Sequence, residues 1–239
     1  MRLRGVVAVV TGASRGIGRA IAAALMREGA IVAGCARHVD ASRTDDRAAT
    51  DHGRSFVSVC DVRSAADVGR FTSEVLDRVG PPQILVNNAG VVARAPLESL
   101  GEEAWDNVVD ANLKGTFLVT RAFLPAMKGG RAPEAAEVCR GRIINIASIA
   151  GRQGTPGLTA YCAAKHGVVG LTRALAEELR PDRIAVNAVC PGSVDTEMLN
   201  EGMPGAVAAM GADDVARVAL FLAMDAPAVL TGSCVDVFG

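Results

Sequence analysis

Short apolar runs alternate with helical stretches along nearly the whole chain, and this alternation limits the possible folds more than any other feature. Runs at 6–10, 31–36, 56–60, 84–86, 143–146, 184–189 and 233–237 read as strands. Helical patterns at 16–28, 64–79, 102–127, 159–179 and 212–223 fall between them. Within 64–79, Val68, Phe71, Val75 and Val79 recur three or four positions apart, the period of a helix face. The strands are continuously apolar, as a sheet covered on both faces requires. Such a chain is expected to be α/β, with right-handed crossovers and a mostly parallel, doubly wound sheet of seven strands. Residues 38–54 are polar and read as a short solvated helix with loops; 129–141 reads as a long helix-to-strand connection. No linker or repeat divides the chain, so 1–239 is expected to be one domain.

Composition excludes several functions. Half of the residues are apolar and the formal charge is -1, which argues against nucleic acid or an anionic membrane as partner. No run approaches the length of a membrane span. The first apolar run is too short for a signal-peptide core and leads straight into a glycine turn. The six cysteines (35, 60, 139, 162, 190 and 234) contain no C-x-x-C. They read as reduced, mostly buried side chains of a cytoplasmic protein. Histidines 38, 52 and 166 share no ligand spacing with them, so no metal site is expected.

The stretch SIAGRQGTPGLTAYCAAK carries the chemistry. Tyr161 and Lys165 are four positions apart, one helical turn, and so share a face; Ser148 lies upstream. A phenol with a pKa of about 10 is a poor acid–base catalyst at neutral pH. A nearby ammonium favours phenolate and is expected to lower that pKa. Taken alone, Y-x-x-x-K also describes a solvated tyrosine beside a surface lysine. His166 reads as structural.

At the other end, TGASRGIG (11–18) follows the first strand and opens the first helix. Glycines there permit a tight turn and close approach to a pyrophosphate, and the helix N-terminus offers free N–H groups. An acidic residue about 20 positions beyond such glycines normally takes the ribose 2′-OH of NAD. This chain has Gly34-Cys35-Ala36-Arg37 instead. Arg37 and Arg15 can clamp a 2′-phosphate, so NADP is expected over NAD; the alternative is that both are ordinary surface charges.

Together with Asp61, NNAG at 87–90, Asn112 in DANLKGTF and PGSVDT at 191–196, these motifs resemble the short-chain dehydrogenase/reductase family from about residue 3 onwards. The resemblance implies a Rossmann-type domain and an NADP(H)-dependent enzyme acting on C=O and CH–OH groups. It implies that Gly12, Gly16 and Gly18 shape the pyrophosphate turn, with Ser14, Arg15 and Ile17 beside it. Asp61 and Val62 would meet the adenine, and Asn87, Asn88, Ala89 and Gly90 would line the ribose and brace the sheet. Pro191, Gly192, Val194 and Thr196 would surround the nicotinamide. Ser148, Tyr161 and Lys165 would be catalytic, with Lys165 also on the nicotinamide ribose, and Asn112 would hold a relay water. Asp61 as a helix cap and Asn112 as a buried amide satisfying backbone are the plainer alternatives.

Family members often assemble through the helices at 102–127 and 159–179, which implies a dimer or tetramer. The small-residue stripe Ala163, Gly167, Gly170 and Ala174 also suits packing within the chain. A substrate segment is expected at about 193–211. Its part 198–211 is short, mostly apolar and small, and 193–211 contains no arginine or lysine, which suits an apolar pocket. The expected substrate is a ketone or aldehyde of moderate size, or the corresponding secondary alcohol. The alternative is a 3-oxoacyl thioester of fatty-acid or polyketide type, with Arg94, Arg121 and Arg173 as a carrier-docking surface. A catalytically inert NADP-binding regulator is a further alternative.

Overall fold

The computed structural model describes residues 1–38, 54–130 and 140–239. The solvated helix expected at 38–54 and the connection at 129–141 fall largely outside the described residues, as do Cys139 and His52. Strands β1 (Val7–Thr11), β2 (Ile31–Ala36), β3 (Phe56–Val59), β4 (Ile84–Asn87), β5 (Gly141–Ile146), β6 (Ile184–Pro191) and β7 (Cys234–Val237) form one sheet. Its order is β3-β2-β1-β4-β5-β6-β7, and every neighbouring pair is parallel. Strand order reverses between β1 and β4, the switch point where such sheets open a crevice at their carboxyl ends.

Helices cover both faces because successive strand residues point to opposite sides. Val10 and Ile144 pack with Ile21 and Leu25 of α1 (Gly16–Arg27) and with Val215 and Leu222 of α7 (Ala212–Met224). Val9 and Ile143 face the other way, towards Phe71 of α2 (Ala65–Arg78) and Phe123 of α4 (Gly115–Gly129). Those two rings meet edge to face at 5.8 Å. Ser64 caps α2 by accepting from Asp67 N at 3.2 Å. Helix α5 (Thr159–Glu178) packs on β6 and on the turn after β5. Among the described residues no helix is long and apolar enough to cross a membrane.

Two elements differ from the sequence expectation. The helix at 102–127 is divided into α3 (Glu102–Val109) and α4 by a wider π turn at Asp110–Lys114. The cause is Asn112, whose Nδ2 donates to Val108 O at 2.8 Å. That carbonyl is the acceptor its own main-chain N–H would use in an α-helix, and π turns of this kind gather at functional sites. The second difference is a short helix, α6 (Glu197–Gly202), within the segment read as an apolar loop.

Gly18 lies inside α1, and a methyl group there would overlap the Gly12 carbonyl oxygen and the Asn88 amide. Because backbone stands in the way, Gly18→Ala is expected to cost about 2–3 kcal/mol. For a chain of this size that lowers Tm by roughly 5–10 °C. Thermal unfolding checks this, and an unchanged Tm would show that the turn and the helix are not in contact.

Candidate active site

The turn after β5 and the first turns of α5 build one wall of the crevice. Ser148 has an extended backbone (φ -172°) and precedes a 3-10 turn at Ile149–Gly151. Its Oγ accepts from Ala150 N at 3.1 Å, which leaves its hydroxyl hydrogen to donate. A Cβ on Gly151 would stand 2.6 Å from Lys165 O, so the turn lies directly against α5. Buried Ala160 and Ala164 seat α5 against Val108. Lys165 is 4% exposed, and its Nζ donates to Ile146 O at 2.8 Å. The same nitrogen lies 5.5 Å from the centre of the Tyr161 ring. The structure thus brings Ser148, Tyr161 and Lys165 to one crevice.

Electrostatics in this crevice differ from the sequence expectation. Burial pushes the Tyr161 phenol up to about 12, partly offset by its hydrogen bond with Ser148. Burial also pulls the Lys165 ammonium down to about 8. Lys165 was expected to lower the phenol's pKa, but here desolvation outweighs any effect of the cation. Tyr161 therefore keeps its proton across the physiological range.

The crevice is about 1310 Å³. Gly12, Ser14, Arg15, Gly16 and Ile17 line one end, and Asn88, Ala89 and Gly90 line its floor. Pro191, Gly192, Val194 and Thr196 face them from the end of β6. Gly12 and Gly16 have φ of +66° and +53°, left-handed conformations that favour glycine. No side chain caps α1 and no acidic residue occupies its first turn, so its N–H groups and positive dipole end are available to an anion. Gly18 does not line the crevice; it is the contact between turn and helix.

Several side chains are used differently from the sequence reading. Asn88 spends its amide on the turn, donating to Thr11 O at 2.9 Å and Gly12 O at 3.2 Å. Asn87 lies within the sheet, donating to Thr120 Oγ1 at 3.0 Å and Asn145 Oδ1 at 2.9 Å. Asn112 donates to Val91 O and Val108 O at 2.7 and 2.8 Å, as the plainer reading held. Its buried Oδ1 has no hydrogen-bond partner among the described residues and lies beside Gly90, where a methyl would overlap it. An unpaired buried acceptor of this kind suits a bound water.

At the end of the crevice nearest β2 and β3, Asp61 lines it with Val62 and Arg37. The Asp61 carboxylate holds Arg63, whose Nε lies 3.0 and 2.9 Å from its two oxygens; this bond, with Arg37 nearby, keeps Asp61 below the usual carboxylate range. Asp61 does not cap α2, since Ser64 does. Arg63 also donates to Asn107 Oδ1 at 2.5 Å, which ties this end to α3. Arg15 is ion-paired with Glu197 of α6, across the mouth of the crevice. Arg63 and Glu197 are site residues that sequence reasoning missed. Neither belongs to a motif, and each is revealed by a partner distant in the fold.

The end of the crevice beside α6 is lined by Val91, Val92, Leu158, Met198, Leu199 and Met203, with Gln153 and Thr155 as polar groups. Arg94 is exposed and donates to Gly202 O at 3.1 Å, which tethers the end of α6. Arg121 lies over the Phe117 ring, and exposed His166 donates to Cys162 O. In the α5 stripe, Gly167 packs on Leu113 within the chain, while Ala163, Gly170 and Ala174 are exposed.

A profile of the family described as short chain dehydrogenase matches residues 6–205. The chain belongs to the short-chain dehydrogenase/reductase family. It is 39% identical, over 251 aligned positions, to the 3-oxoacyl-acyl-carrier-protein reductase FabG of Pseudomonas aeruginosa, covering 100% of this chain and 98% of that one. Among solved structures, one described as ribose-5-phosphate isomerase from Brucella melitensis superimposes with a TM-score of 0.87 at 36% identity, over 99% of this chain and 92% of that one. Thermoplasma acidophilum aldohexose dehydrogenase superimposes with a TM-score of 0.84 at 29% identity, over 99% and 93%. The protein is thus an oxidoreductase of this family with the parallel seven-stranded Rossmann-type fold. The differing descriptions of its neighbours leave the substrate to the residues of the site.

Burial of Lys165 has a measurable consequence for stability. Between pH 8 and 10.5 the unfolded chain holds a proton on this lysine that the folded chain has released. Stability from this group therefore rises with pH across that window, on the order of 3 kcal/mol in all. Lys165→Met removes the dependence. Its Tm relative to the wild type is expected to be most favourable below pH 8 and to fall back as pH rises towards 10.5. Melting curves across that range check it, and a difference independent of pH would contradict the burial argument.

Proposed function

We propose that the protein is an NADPH-dependent reductase of ketone or aldehyde carbonyls that also oxidises the corresponding secondary alcohols. The observation that carries this reading is the convergence of Ser148, Tyr161 and Lys165 on the crevice that the glycine turn opens. The residues suit a phosphorylated dinucleotide: left-handed glycines at 12 and 16, an uncapped α1 N-terminus, and Arg15 and Arg37 where NAD would need an acid. When bound, NADPH supplies the hydride that reduces the carbonyl carbon.

Gly12, Ser14 and Gly16 hold the pyrophosphate, with Ile17 beneath it and Gly18 keeping the helix close. Arg37 and Arg15 take the 2′-phosphate, Arg15 exchanging its partner Glu197 for it. Asp61 and Val62 meet the adenine. Asn88 shapes the turn while Ala89 and Gly90 flank the ribose. Pro191, Gly192, Val194 and Thr196 hold the nicotinamide, and Lys165 orients its ribose.

Tyr161 Oη gives its proton to the carbonyl oxygen as that oxygen gains charge, and its neutral state suits this role. Ser148 Oγ donates a hydrogen bond to the same oxygen and stabilises the developing alkoxide. Asn112 Oδ1 holds a water that supplies protons by way of Lys165.

A second reading, reduction of a 3-oxoacyl thioester, is favoured by the identity with the Pseudomonas aeruginosa reductase. The apolar substrate end, from Val91 to Met203, offers an acyl chain apolar contacts on several sides. We also propose that the chain works as one domain and as a homo-oligomer. The exposed small residues of α5 and exposed Phe117 of α4 would form the contact.

Oxidation of NADPH and of NADH, each tested with a ketone, an aldehyde and an acetoacetyl thioester, decides among these. NADPH is expected to be the better cofactor; a preference for NADH would overturn the assignment of Arg37 and Arg15, and no turnover with any substrate would favour a regulator. Tyr161→Phe is expected to lower kcat by roughly 100-fold or more while NADPH still binds. Retained turnover would remove Tyr161 as the acid.

A further inference from the structure

Behind the nicotinamide end lies a pair of thiols that the proposed reaction does not use. Cys190 is on β6 immediately before Pro191 and Gly192, and Cys234 opens the neighbouring strand β7. The parallel register pairs Ala188 with Cys234 and Cys190 with Asp236. The two cysteines are therefore offset by two residues along adjacent strands and lie on the same face of the sheet. Both belong to one apolar cluster with Ala147, Val168 and Val169, and each thiol lies close enough to perturb the other's titration. Cys190 is fully buried, whereas Cys234 is only half-buried.

The surroundings of Cys234 favour its thiolate. Cys190 and the guanidinium groups of Arg173 and Arg152 lie close by, and together these hold the Cys234 thiol below its ordinary range. Arg152 is itself fixed by Asp236 at 3.6 Å. The neighbouring Cys234 and burial raise Cys190. A partly exposed thiolate beside a second, buried thiol is the arrangement that thiol oxidation requires. Cys35 and Cys60 also lie beside each other, but both are buried, at 0% and 1% exposure.

We propose that Cys190 and Cys234 form an oxidation site at which a hydroperoxide converts the two thiols to an inter-strand disulfide. The Cys234 thiolate attacks a peroxide oxygen, forming an S–O bond as the O–O bond breaks; sulfur is oxidised to the sulfenic acid, and the peroxide's other oxygen leaves as water or alcohol once protonated. Cys190 then attacks the Cys234 sulfur. The S–S bond forms, the S–O bond breaks, and hydroxide departs with the Cys190 proton as water. Both electron pairs balance, with two thiols oxidised by one peroxide.

The link would act on the crevice through the strand end. Gly192 N donates to Val237 O at 2.8 Å, and a Cβ on Gly192 would lie 3.4 Å from Phe238 O. Gly192 and Phe238 both line the crevice. Closing the two-residue offset between Cys190 and Cys234 shifts β7 against β6 and moves the wall formed by Pro191, Gly192 and Phe238. Oxidation is thus a switch that lowers turnover and is reversed by a dithiol.

Intact-mass and peptide-mass measurement of the full chain after limited hydrogen peroxide tests this, and it reads mass, so it is independent of the proposed function. Trypsin releases Cys190 in peptide 184–217 and Cys234 in peptide 218–239, with no other cysteine in either. The expected result is loss of two hydrogen masses and a covalent 184–217/218–239 product that dithiothreitol dissociates. Turnover of the oxidised protein should fall by roughly tenfold or more, since small displacements at a reacting site are costly, and should recover with the thiol. Cys234→Ser should keep basal activity and give no linked product; Cys190→Ala should leave a sulfenic or sulfinic acid on Cys234. A link through Cys35, Cys60, Cys139 or Cys162 formed first, or stable over-oxidation of Cys234 with Cys190 present, would overturn the proposal. A 184–217/218–239 product without any change in turnover would overturn the switch.

Discussion

The close approach of α5 to the turn after β5 is the constraint on which the crevice depends. Two features enforce it. Gly151 has no side chain where Lys165's backbone passes, and the Lys165 ammonium reaches back to Ile146 O at the end of the strand. A longer residue at 151 or a shorter one at 165 would separate the helix from the strand end and pull Tyr161 away from Ser148. Burying an ammonium in this way is unfavourable by itself, as its lowered pKa shows. That cost is tolerated because the same contact positions the reacting side chains. Sites of function commonly accept such a loss of stability.

The sheet is held in register by a second set of polar contacts. Asn87 on β4 donates to Asn145 on β5, Asn145 donates to Thr172 on α5 at 2.9 Å, and Asn87 also reaches Thr120 on α4. These buried hydrogen bonds restrict how the segments they join can sit relative to one another, although Asn87 Oδ1 has no partner among the described residues. The network joins the two central strands to the helices on one face, directly below the carboxyl ends where the crevice opens. A rigid floor of this type is what a site needing sub-ångström placement requires.

Most of the architecture could be read from the sequence because it depends on local chemistry. Continuous apolar strands, three-and-four periodicity and glycine turns act within a few residues, and they gave all seven strands within a few positions. Ser148, Tyr161 and Lys165 were readable for the same reason: one helical turn and one strand end bring them together. What escaped depends on contacts between distant segments. The π turn arises because Asn112's amide competes for Val108 O, which a helical pattern cannot reveal. The pairing of Arg15 with Glu197, the reach of Arg63 to Asn107 and the tether of Arg94 to Gly202 O each join segments that no motif connects. The pKa of Tyr161 was misjudged because proximity to a cation can be read from spacing, whereas desolvation depends on everything packed around the ring.

Tyr161 is the chain's single tyrosine, so its ionisation can be observed directly. Spectrophotometric titration of tyrosinate absorbance, with circular dichroism recorded alongside to confirm the native state, is the most direct test of a phenol kept neutral by burial. The account predicts no tyrosinate below about pH 10 while the protein stays folded, with ionisation displaced towards 12. Tyrosinate appearing near neutral pH in the folded protein would contradict it, and would show that Lys165 rather than burial governs the proton.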